Sequence, residues 1–333
     1  MPIPRQRTYG LFIRHPIGMQ YPLGQSTVHG RIDPARCFIW AGPLTERPGQ
    51  EERLRTFLRD LKGPRGPVAI IMDVYSFPSE YPDDVVTTLL AHDFISVAYI
   101  KNLEDSFVHK KTRFMPLGID FHTLSRPGVS EPAGWGHGHP PASVDEQVSA
   151  LNGVLQGAPP DFSSRRCTVA ITFALRTSGE RTSVRTRSGS DRHRPPVPFI
   201  TREDCARYVT AGPHKTLWTM ANSGQRLEAW RAMAACAFVL SPLGMGFDCH
   251  RTWEALCLGA IPIVPVSPIA KHLVDMGLPV MVITDLREIN QANLRRWQAY
   301  HGQWLTSPSR AAAEDRLTSS YWTRLLEPEA VVK

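Results

Sequence analysis

The sequence lacks the short signatures that assign an activity on sight. It has no Gly-x-Ser-x-Gly, no Walker loop, no His-Glu-x-x-His and no full dinucleotide-binding glycine fingerprint. That removes the motif-bearing serine hydrolases, P-loop NTPases, zincins and Rossmann dehydrogenases. There is no Asp-x-Asp through which a metal could hold a diphosphate. Cysteine is scarce, and its six copies (Cys37, Cys167, Cys205, Cys236, Cys249, Cys257) form no Cys-x-x-Cys and no zinc-like pairing with histidine. Buried free thiols and no metal are therefore expected. No window approaches eighteen apolar residues, and the first residues, MPIPRQRTYGLFIRHPIGM, hold no apolar stretch long enough for a signal peptide. A soluble or cytoplasmic chain without a membrane span is the expectation.

Charge of one sign is also missing over most of the chain. Residues 165–194 hold eight arginines against two acids, a local +6 out of a net +7, and the remainder is nearly neutral. A local anion site or a solvated segment fits that distribution. A nucleic-acid surface running over the whole protein does not.

What is present suffices for two domains: 333 residues, 42% hydrophobic, with 29 prolines that mark many turns. Residues 1–34 show little periodicity and are expected to be irregular. Apolar runs predict strands at 36–41, 67–73, 94–100, 113–117, 167–174, 238–240, 261–266 and 280–283. Helical spacing predicts helices at 50–62, 85–92, 144–155, 203–209, 226–236, 269–276 and 291–300, with an amphipathic tail over 311–326. The alternation is that of a parallel α/β sheet. The Pro/Gly-rich stretch at 125–141 suggests a boundary: a first domain at 1–125, a linker at 126–163 and a second domain at 164–333. His137 and His139 sit in that stretch without neighbouring carboxylates or cysteines, which reads as a loop.

The chemistry concentrates in residues 238–266, FVLSPLGMGFDCHRTWEALCLGAIPIVPV. A buried strand runs into Ser241-Pro242, then Gly244 and Gly246, where the chain must turn. Asp248 reads as the N-cap of a helix whose Trp253, Leu256 and Cys257 form a core stripe. His250, Arg251 and Glu254 occupy the other face of its first turns. A helix start attracts anions, an arginine there can bind phosphate in fork geometry, and a glutamate one turn on can accept both hydroxyls of a ribose. Those are the parts of a nucleotide, although the same Arg/Glu spacing also describes an ordinary helix-surface pair.

The run Ser-Pro, Gly-x-Gly, Asp-x-His-Arg-Thr-Trp-Glu-Ala-Leu and Gly-Ala-Ile-Pro-Ile-Val resembles the donor-site segment of exostosin-like glycosyltransferases. A second run, Pro116-Leu-Gly-Ile-Asp-Phe-His-Thr-Leu124, with Trp135-Gly136 and Gln147 beyond it, resembles uncharacterised algal and giant-virus relatives of that family. Together the two runs cover under a third of the chain. The resemblance implies the GT-B form of an α/β fold, two Rossmann-like domains facing each other across a cleft. It also implies a last helix that crosses back to the first domain. The implied activity is transfer of a hexosyl or pentosyl group from a nucleotide sugar, UDP-linked by preference, to a glycan or other hydroxyl acceptor, without metal and with no cofactor beyond the donor itself. Ser241, Gly244, Gly246, Asp248, His250, Arg251 and Glu254 would bind the donor, with Arg176 and Arg181 on its diphosphate. His122, Asp120 and Asp73 are the candidates for the base that takes the acceptor's proton; a turn cap for Asp120 and packing beside Phe121 for His122 are the alternatives. The competing function is a non-catalytic module that binds a nucleotide or a sulfated or anionic glycan.

Overall fold

The apolar runs pair into two mainly parallel sheets. In the computed structural model the described residues are 32–33, 38–41, 68–72, 87, 90–93, 95–105, 108–119, 144–159, 161–173, 200–221, 226–244, 246–305, 307–318, 321–322 and 325. The first sheet holds β1 (Ile32–Asp33), β2 (Phe38–Ala41), β3 (Val68–Met72), β4 (Ile95–Ile100) and β5 (Thr112–Phe114), in that spatial order. β2 to β5 are parallel, and β1 lies antiparallel on the β2 edge. β1 falls in the stretch expected to be irregular, because two residues are too few to show a period. β5 is shorter than the predicted 113–117: Pro116 has no N–H to continue a ladder. Residues 87, 90 and 91 are helical, inside the predicted 85–92 helix, and the predicted helix at 50–62 lies outside the described residues.

The second sheet contains β6 (Arg166–Ile171), β7 (Trp218–Met220), β8 (Cys236–Leu240), β9 (Ile261–Pro265) and β10 (Met281–Ile283), all parallel, in the order β10-β9-β8-β6-β7. This is a doubly wound order in which the direction of winding reverses between β6 and β8. Ligands of such sheets lie beyond the carboxyl ends of the strands flanking the reversal. The first sheet, wound sequentially, has no reversal among its strands.

Helices cover both faces of the second sheet. α1 (Val144–Gln156), α3 (Arg226–Ala235), α4 (His250–Cys257), α5 (Pro268–Asp275) and α7 (Ser309–Asp315) are joined by one core containing Leu151, Met233, Trp253, Leu256 and Leu273. α2 (Arg202–Ala211) and α6 (Gln291–Trp304) pack on the opposite face through Cys205, Val209, Leu294 and Trp297 against Val169, Ile171 and Phe238. Strand residues alternate between the two cores, as a pleat demands: Ala170 and Val239 face one, Val169, Ile171 and Leu240 the other. Trp230 and Trp253 are fully buried and anchor the first of these cores. The architecture is therefore an α/β fold with helices on both faces of a parallel sheet.

Two details differ from the sequence expectation. α1, set by the sequence within the linker, instead lays Leu151 and Val154 into the core of the second sheet. The tail is not one helix across 311–326: α7 ends at Asp315, a turn follows, and residues 321, 322 and 325 are helical again. The Tyr99 hydroxyl of β4 donates to the Leu325 carbonyl at 2.9 Å. No helix among the described residues is long and apolar enough to cross a membrane.

Candidate functional site

Beyond the carboxyl ends of β6 and β8, the glycine-containing turn at 241–249 leads into α4. Ser241 continues β8 by donating its N–H to the Ile263 carbonyl at 2.9 Å, and its hydroxyl meets Thr252 Oγ1 at 2.9 Å and Cys249 Sγ at 3.1 Å. These bonds fasten the turn to the first turn of the helix. Arg251 spans the reversal. Its Nε donates to Thr172 Oγ1 at 3.2 Å, and its guanidinium lies 5.2 Å from the centre of the Phe173 ring. Thr172 and Phe173 follow directly on β6, so Arg251 links the carboxyl ends of the two strands.

Two further arginines gather here. A Cβ built on Gly244 would approach Arg202 Nη2 to 4.0 Å. Burial pushes the Arg251 guanidinium down to about 10, and the charges of Arg202 and Arg226 act in the same direction while Cys249 opposes them. Arg202 Nε is buried without a hydrogen-bond partner, an arrangement that native folds rarely leave unfilled. Arg226 lies 5.9 Å from the centre of the Trp230 ring and forms an ion pair with Glu254. Three guanidinium groups around one turn, with one of them offset by Glu254, repel each other and favour an incoming anion.

The three share a position in the fold. Arg202 and Arg226 open α2 and α3, and Arg251 is the second residue of α4. These helices follow β6, β7 and β8, so their starts lie at the carboxyl side of the sheet, where helix dipoles add to the positive potential. The sequence reading found Arg251 and missed Arg202 and Arg226. A signal for Arg202 existed: Thr201 and Asp204 form a capping box, with Thr201 Oγ1 accepting from the Asp204 N–H at 3.1 Å and Asp204 Oδ2 accepting from the Thr201 N–H at 2.9 Å. That pattern marks the helix start and places the arginine on it.

Several predicted residues stand differently from expectation. Asp248 is not the N-cap of α4: Cys249 holds that position and makes no capping bond. The Asp248 carboxylate is buried and accepts from the Leu117 N–H at 2.7 Å and from Trp253 Nε1 at 2.8 Å. Trp253, Leu256 and Cys257 are buried as the stripe required, but so are Thr252, Glu254 and Ala255. The helix is enclosed on all sides beyond its first turn, so Glu254 faces Arg226 and not solvent. Neither Gly244 nor Gly246 has a positive φ; Gly246 is instead required by space, since a Cβ there would lie 2.6 Å from Asn102 Oδ1. His250 Nδ1 donates to the Gly118 carbonyl at 2.7 Å. Asp73, Asp120, His122, Arg176 and Arg181 lie outside the described residues. Among the described residues no three His, Cys, Asp or Glu side chains are grouped to hold a metal. Cys205 and Cys257 are buried free thiols, each pushed by burial up to about 12.

No protein-family model matches the sequence, and no curated protein matches it. Among solved structures the chain is similar to HepE of Anabaena, determined in complex with UDP-glucose, at 13% identity over 94% of this chain and 82% of that one. The TM-score is 0.33, a level at which the likeness fixes neither fold nor activity.

Proposed function

We propose that the protein is a glycosyltransferase that uses a nucleotide-sugar donor, with UDP-sugars the first to test. One observation carries this reading. Arginines at the starts of three successive helices converge where the winding of the sheet reverses, and one of them has a buried, unpartnered Nε. A nucleoside diphosphate brings the negative charge that such a cluster lacks, and its charge grows as the bond between the sugar's anomeric carbon and the phosphate oxygen breaks. Partly buried guanidinium groups fixed in advance stabilise that leaving group. The new bond forms to an acceptor hydroxyl, of a glycan or another conjugate, whose proton passes to a base. Asp120, His122 and Asp73 stay the candidates for that base, and the described segment ending at Ile119 supports the first two. Gly118, which precedes Asp120 and His122 in the chain, is tied to His250 at the start of α4. With arginine and helix ends meeting the phosphate charge, the reaction is proposed to need no metal.

Titration calorimetry with UDP and GDP tests the reading. Wild type should bind one of them, and Arg251→Ala and Arg202→Ala should each weaken binding without unfolding the protein. Stabilisation by heparin alone, with no response to either nucleotide, would favour the polyanion-binding module instead.

A further inference from the structure

The turn that carries the donor residues is held by a side chain of the other sheet. β4 ends at Ile100, and the chain reverses through Lys101 and Asn102, both buried. Asn102 has φ 55, in the left-handed region that asparagine enters more readily than most residues. Its Oδ1 accepts the Asp248 N–H at 2.7 Å. The same side chain fills the space above Gly246, where a Cβ would meet Oδ1 at 2.6 Å and Cγ at 2.7 Å. Asp248 returns the contact, accepting from the Leu117 N–H, and His250 reaches the Gly118 carbonyl. Two more contacts flank the interlock: Phe114 stacks on His272 of α5 at 4.7 Å between ring centres, and His272 Nε2 approaches the Leu103 carbonyl at 3.3 Å.

An apolar contact would join these surfaces without fixing their register. Buried hydrogen bonds between the two surfaces specify one arrangement. The arrangement specified here sets residues 115–119 against the donor turn.

We propose that Asn102 is a positioning residue for the transfer reaction, seating the donor turn at Gly246–Asp248 against residues 115–119. The inference rests on the nucleotide-sugar reading of the site. Transfer requires the reacting atoms to be held about 3–3.5 Å apart, and a misplacement of about 1 Å costs on the order of 10²-fold in rate. Asn102 acts on the backbone of the turn, through the Asp248 N–H and the space over Gly246, so its loss should impair turnover more than donor binding.

The test is a cycle of Asn102→Ala, Gly246→Ala and the double variant, read by thermal unfolding, UDP affinity and release of UDP from a panel of UDP-sugars with glycan acceptors. Asn102→Ala should keep UDP affinity within about threefold while turnover falls roughly 10²-fold. Gly246→Ala should harm wild type by driving Asn102 away, and should add less than about threefold once Asn102 is alanine, since the clash is gone. Three results would overturn the proposal: normal turnover in Asn102→Ala, an equal cost of Gly246→Ala in both backgrounds, or parallel losses of affinity, turnover and melting temperature, which mark a purely structural role. Should wild type neither bind nor release a nucleotide, the nucleotide-sugar reading fails and the positioning role falls with it. A binding, active wild type with an indifferent Asn102→Ala sinks the positioning role alone.

Discussion

Arg251 and Arg202 present the same chemical group at the carboxyl side of one sheet, yet only one was legible in the sequence. Arg251 sits in a dense local motif, whereas Arg202 lies far upstream, and only the parallel pairing of β6 with β8 brings the two together. Arg226 and Asn102 were hidden too, Asn102 because it follows β4 of the other sheet and meets the turn through the Asp248 N–H. Asp248 was misassigned because an aspartate before a helix reads identically whether its carboxylate caps that helix or accepts from a distant amide, as it does from Leu117. Arg251→Ala and Arg202→Ala should each weaken UDP or GDP binding by about 1.5–3 kcal/mol, the scale of a hydrogen bond to a charged group. Calorimetry on both variants checks it, and unchanged affinity in both would move the site elsewhere. Arg251→Lys should recover only part of the loss, because an ammonium cannot reproduce the fork proposed to meet phosphate while Nε holds Thr172.

Elements were read more securely than single contacts. β8 and β9 were legible because each is a short apolar run bounded by turn residues, and both proved buried along their length. α4 was legible by its stripe, but its burial on every side was not, since Arg, Thr and Glu near its start mimic a solvent face. The α2 capping box links stability to the site: Thr201→Ala should cost about 1 kcal/mol in urea unfolding. It should also lower nucleotide affinity, because the first turn it frays is the one that carries Arg202. A stability loss with affinity untouched would separate the cap from the crevice. Trp253→Ala removes a side chain buried among the helices and holding the Asp248 carboxylate, and should cost roughly 3–5 kcal/mol.

For the molecule as a whole, pH enters through the junction of the two sheets. Burial raises Asp248 to about 6 from an ordinary 3.8, with the Leu117, Trp253 and Cys249 hydrogen bonds and the Lys101 charge holding it down from a larger rise. Between those values the folded protein retains a proton that the unfolded chain has released. The contribution is thus fully present below 3.8 and is lost as pH climbs through about 6. Asp204 runs the other way: its hydrogen bonds to Thr201 and Arg207 outweigh burial and lower it, so its contribution fades as pH falls through its folded value. Asp248→Asn should flatten the pH 4–6 part of a denaturation series and leave the slope below it, where Asp204 titrates. A wild-type profile without any fall over pH 4–6 that Asp248→Asn removes would contradict the assignment. Turnover that survives EDTA is the matching expectation for the proposed meeting of phosphate by arginine; loss with EDTA and recovery with manganese would overturn it.

The order β10-β9-β8-β6-β7 also dictates a sequence of assembly. β8, β9 and β10 follow one another through single helices and pair as neighbours, so their contacts close short loops. β6 must wait for β8 across α2, β7 and α3, a far longer loop with a larger entropic cost before any contact is made. The crevice between β6 and β8 should therefore be the last part of the second sheet to close during refolding. Pulsed hydrogen exchange would show the amides of β9 gaining protection before those of β6. A chain halted early in folding would hold a formed half-sheet in which Arg202 and Arg251 had not yet been brought together.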